Sequence, residues 1–283
     1  MPFMVADTRI VVKTKCGCKS QRLAAFECDV FEDHDLIVEC GQFQERDDKS
    51  LICSSLGLSF WYEIPGGFRL EVHRPGEEKA TGALEVDALW KRAELYGGGM
   101  WEDCLLEGPL GEVLFRNAMI NRGGMQIHSA AIAYRGEGIL FSAPSGTGKT
   151  TQARMWIEHL GASMIQGDRP IVRMREKDVL VYGTPWIGSD PLFQNICLPV
   201  KAIVFLEQAP VNEILNLDPN LAVQYLLPRC FLPYFSQQMM NKALLIAESI
   251  LRRVPCYLLR CMPEMAAAEF LHDMIYSQDP KTK

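Results

Sequence analysis

The sequence predicts a mixed α/β (α+β) chain: a β-rich accessory region over residues 1–105, then an α/β domain with a phosphate-binding loop over residues 106–283. Three observations predict it. Short strand-like runs separated by turn residues fill the first hundred positions. Helix-spaced and strand-like segments follow one another through the rest. Between two of them lies Ala143-Pro144-Ser145-Gly146-Thr147-Gly148-Lys149-Thr150-Thr151, after the apolar run Gly138-Ile139-Leu140-Phe141.

A chain of 283 residues suits two domains, and 48% hydrophobic against 23% charged residues is enough apolar matter for a buried core. The net charge of −6 argues against a nucleic-acid partner. No apolar run of about 18 residues predicts a membrane span. Asp7 comes too early for a signal peptide's apolar core, so a cytoplasmic location is expected. The 10 cysteines form no metal pattern. Cys16 and Cys18 are an isolated pair, with zinc or redox chemistry as the alternative to plain thiols. Cys53, Cys197 and Cys256 read as small buried hydrophobes.

Taken in order, Arg9–Val12, Leu51–Cys53, Leu58–Ile64 and Phe68–His73 read as strands, the last two joined by the turn Pro65-Gly66-Gly67. The charged stretches 32–35 and 45–49 read as solvated loops. Val86, Leu89, Trp90, Ala93 and Leu95 suggest a short helix over 86–96, ended by Gly97-Gly98-Gly99. A helix is expected over 111–122, closed by Gly123-Gly124. One strand is expected over 125–134, a hairpin partner of the strand before the loop. The helix after the loop runs to Leu160 and ends at Gly161. Ser163–Gln166 is a strand that delivers Gly167-Asp168-Arg169. Residues 171–174 and 179–182 form a hairpin. Gly183 to Asp190 is a glycine- and hydroxyl-rich loop. Lys201–Leu206 is a buried strand, followed by helices near 219–228 and 236–252, a strand at 256–259 and a closing helix after Pro263.

Each residue type in the loop has a physical reason. Gly146 and Gly148 can adopt backbone angles closed to other residues and let the chain wrap around phosphate oxygens. Successive N–H groups then form an anion nest, and the helix N-terminus adds partial positive charge. Lys149 can reach terminal phosphates, and the Thr150 hydroxyl can ligate Mg²⁺. Ser145, Thr147 and Thr151 complete the stretch. Ala143 stands where the strict pattern has glycine, but a plain connecting turn needs neither the lysine nor the threonines.

His128-Ser129-Ala130-Ala131, the loop, Gly167-Asp168-Arg169 and Gly183-Thr184-Pro185-Trp186 together resemble proteins related to the HPr serine kinase. The loop is also similar to that of ATP-dependent phosphoenolpyruvate carboxykinase. The likeness covers roughly residues 120–275, and it implies a P-loop kinase domain of the HPr kinase/phosphoenolpyruvate carboxykinase type that uses ATP and Mg²⁺. That family carries a histidine on the strand before the loop strand, where His128 stands. It also carries two adjacent aspartates. Here Gly167 stands at the first position and Asp168 matches the second. The loop by which HPr kinase engages its protein substrate has no match, which implies a different acceptor.

The resemblance therefore implies an ATP-dependent kinase that transfers the γ-phosphate to a hydroxyl of a peptide, protein or small metabolite. Lys149 would hold the β- and γ-phosphates and Thr150 the metal. Asp168 is either a second metal contact or the base for the acceptor hydroxyl. His128 either accepts a proton or holds Asp168, since free imidazole titrates near neutral pH; a satisfied buried histidine is the plain alternative. Arg169 binds an anion or makes a simple salt bridge. Ser189 and Asp190 lie in a loop that could close over substrate. A carboxykinase-like phosphotransferase and a non-catalytic ATP-binding regulatory module are the competing readings. The β-rich region can offer an acceptor-docking or homo-oligomer surface.

Overall fold

A computed structural model describes residues 1–14, 21–97, 105–188 and 190–277. Cys16, Cys18, Gly98, Gly99 and Ser189 lie outside the described residues. The chain divides into two compact units, Met1–Arg122 with Pro233–Met240, and Gly123–Leu232 with Asn241–Lys283.

The first unit contains strands β1 (Pro2–Val5) and β2 (Thr8–Thr14), a short helix α1 (Gln21–Ala24), and strands β3 (Leu36–Gln42), β4 (Ser50–Ser55), β5 (Ser59–Ile64), β6 (Gly67–His73), β7 (Ala80–Asp87) and β8 (Arg92–Gly97). Helix α2 (Pro109–Ile120) follows. The strands form one eight-stranded sheet in the order β1-β2-β3-β8-β7-β6-β5-β4. Among the described residues of this unit, only β2–β3 and β3–β8 pair in parallel. Period-two alternation explains the sheet: in β8, Ala93 and Leu95 are buried while Arg92 and Glu94 face out. Helix α2 packs across β7 and β8 and buries Leu114, Phe115 and Ala118. It thus groups with the first unit, whereas a boundary at residue 105 assigns it to the second domain.

The helix expected over 86–96 is instead the end of β7, a turn and β8. Val86 and Ala93 are paired across two antiparallel strands. Leu89 is 66% exposed at the turn, and the fully buried Trp90 adopts φ 56° there. A hairpin with a buried turn residue produces the same apolar spacing as one helical face. Strands β1 and β3 were also not expected. Strand β1 is only four residues long, and the apolar run that opens β3 gives way to Glu39, Gly41 and Gln42.

The second unit contains β9 (Gly124–Gln126), β10 (Ser129–Tyr134), β11 (Glu137–Ser142), α3 (Lys149–Leu160), β12 (Ser163–Gln166), β13 (Ile171–Arg175), β14 (Asp178–Tyr182), β15 (Cys197–Gln208), β16 (Glu213–Leu217), α4 (Pro219–Leu226) and a 3-10 turn at Leu227–Arg229. Helix α5 (Gln237–Leu251) starts within Pro233–Met240 and continues into this unit, which ends with β17 (Cys256–Cys261) and α6 (Met265–Tyr276). Strand β15 is 12 residues long and serves two neighbourhoods. Its start pairs antiparallel with β14, and the rest runs parallel to β11 and β17. Strand β10 is the antiparallel hairpin partner of β11, with Ser129 opposite Ser142, and β12 lies on its other side.

The single strand expected over 125–134 is therefore two. The backbone N–H of Ile127 donates to Pro170 O (3.2 Å) and that of His128 to Arg229 O (2.7 Å), so the chain changes partners there. Its apolar composition is the same on both sides and hides the break. Strand β16 was also not expected. Cys256 is buried, but Cys197 is exposed at the start of β15, contrary to its reading as a buried hydrophobe. Among the described residues no helix is long and apolar enough to cross a membrane.

Helices α3 and α6 cover the sheet over a core that includes Ile132, Phe141, Trp156, Val204 and Leu271. Trp156 is fully buried and meets Tyr134 edge-on at 5.4 Å. It anchors the helix whose first residue is Lys149. Trp156→Ala should cost about 3–5 kcal/mol, read as a lowered urea midpoint at unchanged slope.

Candidate functional site

The site lies along one edge of the second unit's sheet. Antiparallel pairing puts the start of β10 and the end of β12 beside the end of β11. His128 precedes β10, the glycine-containing loop 143–148 follows β11, and Asp168 lies just past β12. Sequence separations of about twenty residues thus collapse into contact.

Gly146 (φ 79°) and Gly148 (φ 119°) both occupy the left-handed region, and Gly148 is the N-cap of α3. A side chain at either would strain the backbone, although each has open space around it. Ser145 and Gly146 are exposed at the crest, Thr147 and Thr150 are half-buried, and Thr151 is exposed. Lys149 is only 8% exposed.

Lys149 Nζ lies 3.0 Å from His128 Nε2, 3.1 Å from Ala143 O and 3.4 Å from Pro144 O. An ammonium has no acceptor, so it donates to all three. His128 Nε2 must then be unprotonated, which puts the ring proton on Nδ1. Nδ1 faces Asp168 Oδ1 at 2.9 Å. The proton assignments along Lys149–His128–Asp168 are thus mutually consistent. Ser142 Oγ donates to His128 O (3.1 Å), fixing the histidine against β11.

Burial holds the Lys149 ammonium below its ordinary pKa of 10.5; the Asp168 charge opposes this and the Arg229 charge adds to it. Arg169 Nε stands 3.6 Å from Asp168 Oδ2, its guanidinium lies 5.7 Å from the Phe231 ring, and burial lowers its pKa.

On the other side of the loop is a cleft of about 580 Å³. Its walls include Ser142–Thr147, the end of β15 and, from α4 and the turn after it, Tyr225 and Arg229. Among the described residues no group of three or more His, Cys, Asp or Glu is gathered to hold a metal. Mg²⁺ is commonly held by one or two protein oxygens, with phosphates and water supplying the rest. The Thr150 hydroxyl at the helix start and the Asp168 carboxylate are a donor set of that kind.

The chain after Asp190 is held against β12. Asp190 is 6% exposed, and its Oδ1 accepts from Leu192 N at 2.9 Å. Gly167 N donates to Leu192 O and Gln194 N to Ile165 O, both at 2.9 Å, so the chain after Asp190 is laced to β12. Contact is close on both sides. A Cβ on Gly167 would lie 2.5 Å from Asp190 Cβ, and one on Gly188 would lie 1.5 Å from Asp168 Oδ2. Ser189 is outside the described residues.

No protein-family model matches the sequence, and no curated protein matches it. Among solved structures, the HPr(Ser) kinase/phosphatase from Coxiella burnetii is similar, at 10% identity and a TM-score of 0.34, over 55% of this chain and 91% of that one.

Arg229 escaped the sequence reading, and Asp190 was named there only as part of a loop that could close. Arg229 lines the cleft, depresses the proton affinity of Lys149 and lends its carbonyl to His128. It sits in a 3-10 turn one residue past the expected helix, with no motif around it. The carboxylate of Asp190 fills the space beside Gly167, and the only signal was a glycine immediately after a strand. Gly167→Ala should cost about 1–3 kcal/mol through overpacking. In urea unfolding, Gly167→Ala with Asp190→Gly should lose less than the sum of the single changes.

Proposed function

We propose that the chain is an ATP-dependent kinase that transfers the γ-phosphate to a hydroxyl of a peptide, protein or small-molecule acceptor. The observation that carries this is the hydrogen-bonded line Lys149–His128–Asp168 ending at a glycine-hinged loop and a helix N-terminus. Phosphoryl transfer needs chiefly positioning and charge stabilisation. The loop N–H groups and Lys149 would hold the β- and γ-phosphates. Magnesium, held by Thr150 and Asp168, would neutralise charge on the phosphate oxygens.

His128 engages Asp168 Oδ1, while Oδ2 lies against Gly188 and 3.6 Å from Arg169 Nε, so a metal or an acceptor proton would meet this carboxylate beside those neighbours. Where Asp168 serves as the base instead of as a metal contact, the hydroxyl proton passes to its carboxylate as the acceptor oxygen bonds to the γ-phosphorus and the bond to ADP breaks. Arg229 adds a positive charge at the cleft side of the loop.

The test is transfer of label from γ-labelled ATP in a host-cell extract, split into macromolecular and small-molecule fractions. Label is expected with wild type and not with Lys149→Ala. Mg·ATP binding without any labelled acceptor would instead support a nucleotide-sensing module. Asp168→Asn should keep nucleotide affinity in calorimetry and lose about 10²–10⁴-fold in transfer rate. An unchanged rate would remove Asp168 from the mechanism.

A further inference from the structure

Strand order along the sheet edge is β12-β10-β11-β15. Asp168 follows β12, His128 precedes β10, and the loop follows β11. Strand β15 is parallel to β11, with Phe205 opposite Ser142, so Leu206–Gln208 emerge at the same edge. The loop therefore stands between two regions. On one side is the Lys149–His128–Asp168 line. On the other is the cleft of about 580 Å³, within the roughly 300–1,000 Å³ of small-molecule sites.

We propose that this cleft receives the nucleoside of the bound nucleotide, with the base lying against Tyr225; this rests on the nucleotide reading above. A triphosphate held by the loop has a reacting end and a nucleoside end. If the reacting end faces Lys149, His128 and Asp168, the nucleoside extends to the opposite side, where the cleft begins. The walls suit it. Tyr225 is half-buried and backed by the buried Phe205, the two rings being 5.4 Å apart and inclined by 31°. A ring so supported offers a stacking surface at little entropic cost. Gln208 and Gln224 line the same cleft and provide amides that both donate and accept. The Gln208 amide donates to Thr147 O at 3.4 Å, tying this wall to the phosphate loop. The one wall carboxylate, Glu207, pairs with Arg260 at 3.0 Å, which offsets its repulsion of a polyanion.

The experiment is calorimetry of Mg·ATP and of Mg·tripolyphosphate, a ligand with phosphates and no nucleoside. The proteins are wild type, Tyr225→Ala, Tyr225→Leu, Tyr225→Phe and Lys149→Ala, each checked for wild-type-like thermal unfolding. Tyr225→Leu keeps bulk without an aromatic face and serves if the alanine variant does not fold. Loss of the ring should weaken ATP about 5- to 100-fold and tripolyphosphate by less than about 2-fold, with Tyr225→Phe near wild type. Lys149→Ala should weaken both ligands. Unchanged ATP affinity in Tyr225→Ala and Tyr225→Leu, while Lys149→Ala still loses both, would overturn the nucleoside cleft and leave the phosphate loop standing. Equal weakening of both ligands by the Tyr225 variants would also overturn it. Wild type binding neither ligand would defeat the nucleotide reading itself, and this proposal with it.

Discussion

A single buried ammonium ties the second unit's site together. Lys149 Nζ reaches back under its own loop to two carbonyls and across to His128, which in turn reaches Asp168. Three chain segments meet there: the loop, the start of β10 and the residue after β12. A buried charge is costly unless its donors are satisfied, and here all three are. Its pKa is nonetheless lowered, burial outweighing the pull of Asp168. The folded chain holds this proton less tightly than the unfolded chain does. The charged form therefore costs stability below the lowered pKa, and that cost fades as pH rises through it towards 10.5. Such a lysine gains from a phosphate anion, which supplies the countercharge that burial withholds.

The sheet makes this meeting possible through one irregularity. Were residues 125–134 a continuous strand, His128 would be a ladder residue with its backbone committed to a neighbour. Instead the chain switches from β13 to β11 and β12 at that point, and the His128 N–H is taken up by Arg229 O. The turn that carries Arg229 is thereby fixed to the residue between Lys149 and Asp168. One backbone hydrogen bond thus joins a residue of the cleft wall to the histidine that meets Lys149 and Asp168.

Local chemistry was legible in the sequence; partner choice was not. The loop declares itself because glycines, lysine and hydroxyls are adjacent in the chain and each has a reason to be there. The β10–β11 hairpin and the helix from Lys149 to Leu160 are likewise encoded by neighbouring residues: a turn, a periodic face and a glycine cap at φ 75°. The helix expected over 86–96 failed because Val86, Leu89, Trp90 and Ala93 fit helical spacing equally well as a hairpin with its turn tryptophan turned inward. His128 and Asp168 could be named singly, but their meeting needs the pairing of β10 with both β11 and β12. Arg229 could not be named at all. Its significance comes from long-range contacts: it shares a cleft with the loop, and its carbonyl accepts from His128 N.

The glycines at 167 and 188 show how much precision the site demands. Neither has an enforced left-handed backbone, so neither is explained by conformation. Both are explained by contact: Gly188 lies against an oxygen of Asp168, and Gly167 against the side chain of Asp190. The loop after β14 is thus interlocked with the strand end that carries Asp168. One Asp168 oxygen is held by His128, and the other is bounded by Gly188 and Arg169. A carboxylate confined this way pays little entropy when it engages a ligand. It is also poorly able to follow a displaced one, because the interlock leaves no room for adjustment. Placement to within a fraction of an ångström is what positioned catalytic groups need. The packing that forbids a side chain at 188 is therefore part of the same constraint that holds Asp168 against His128 and Arg169.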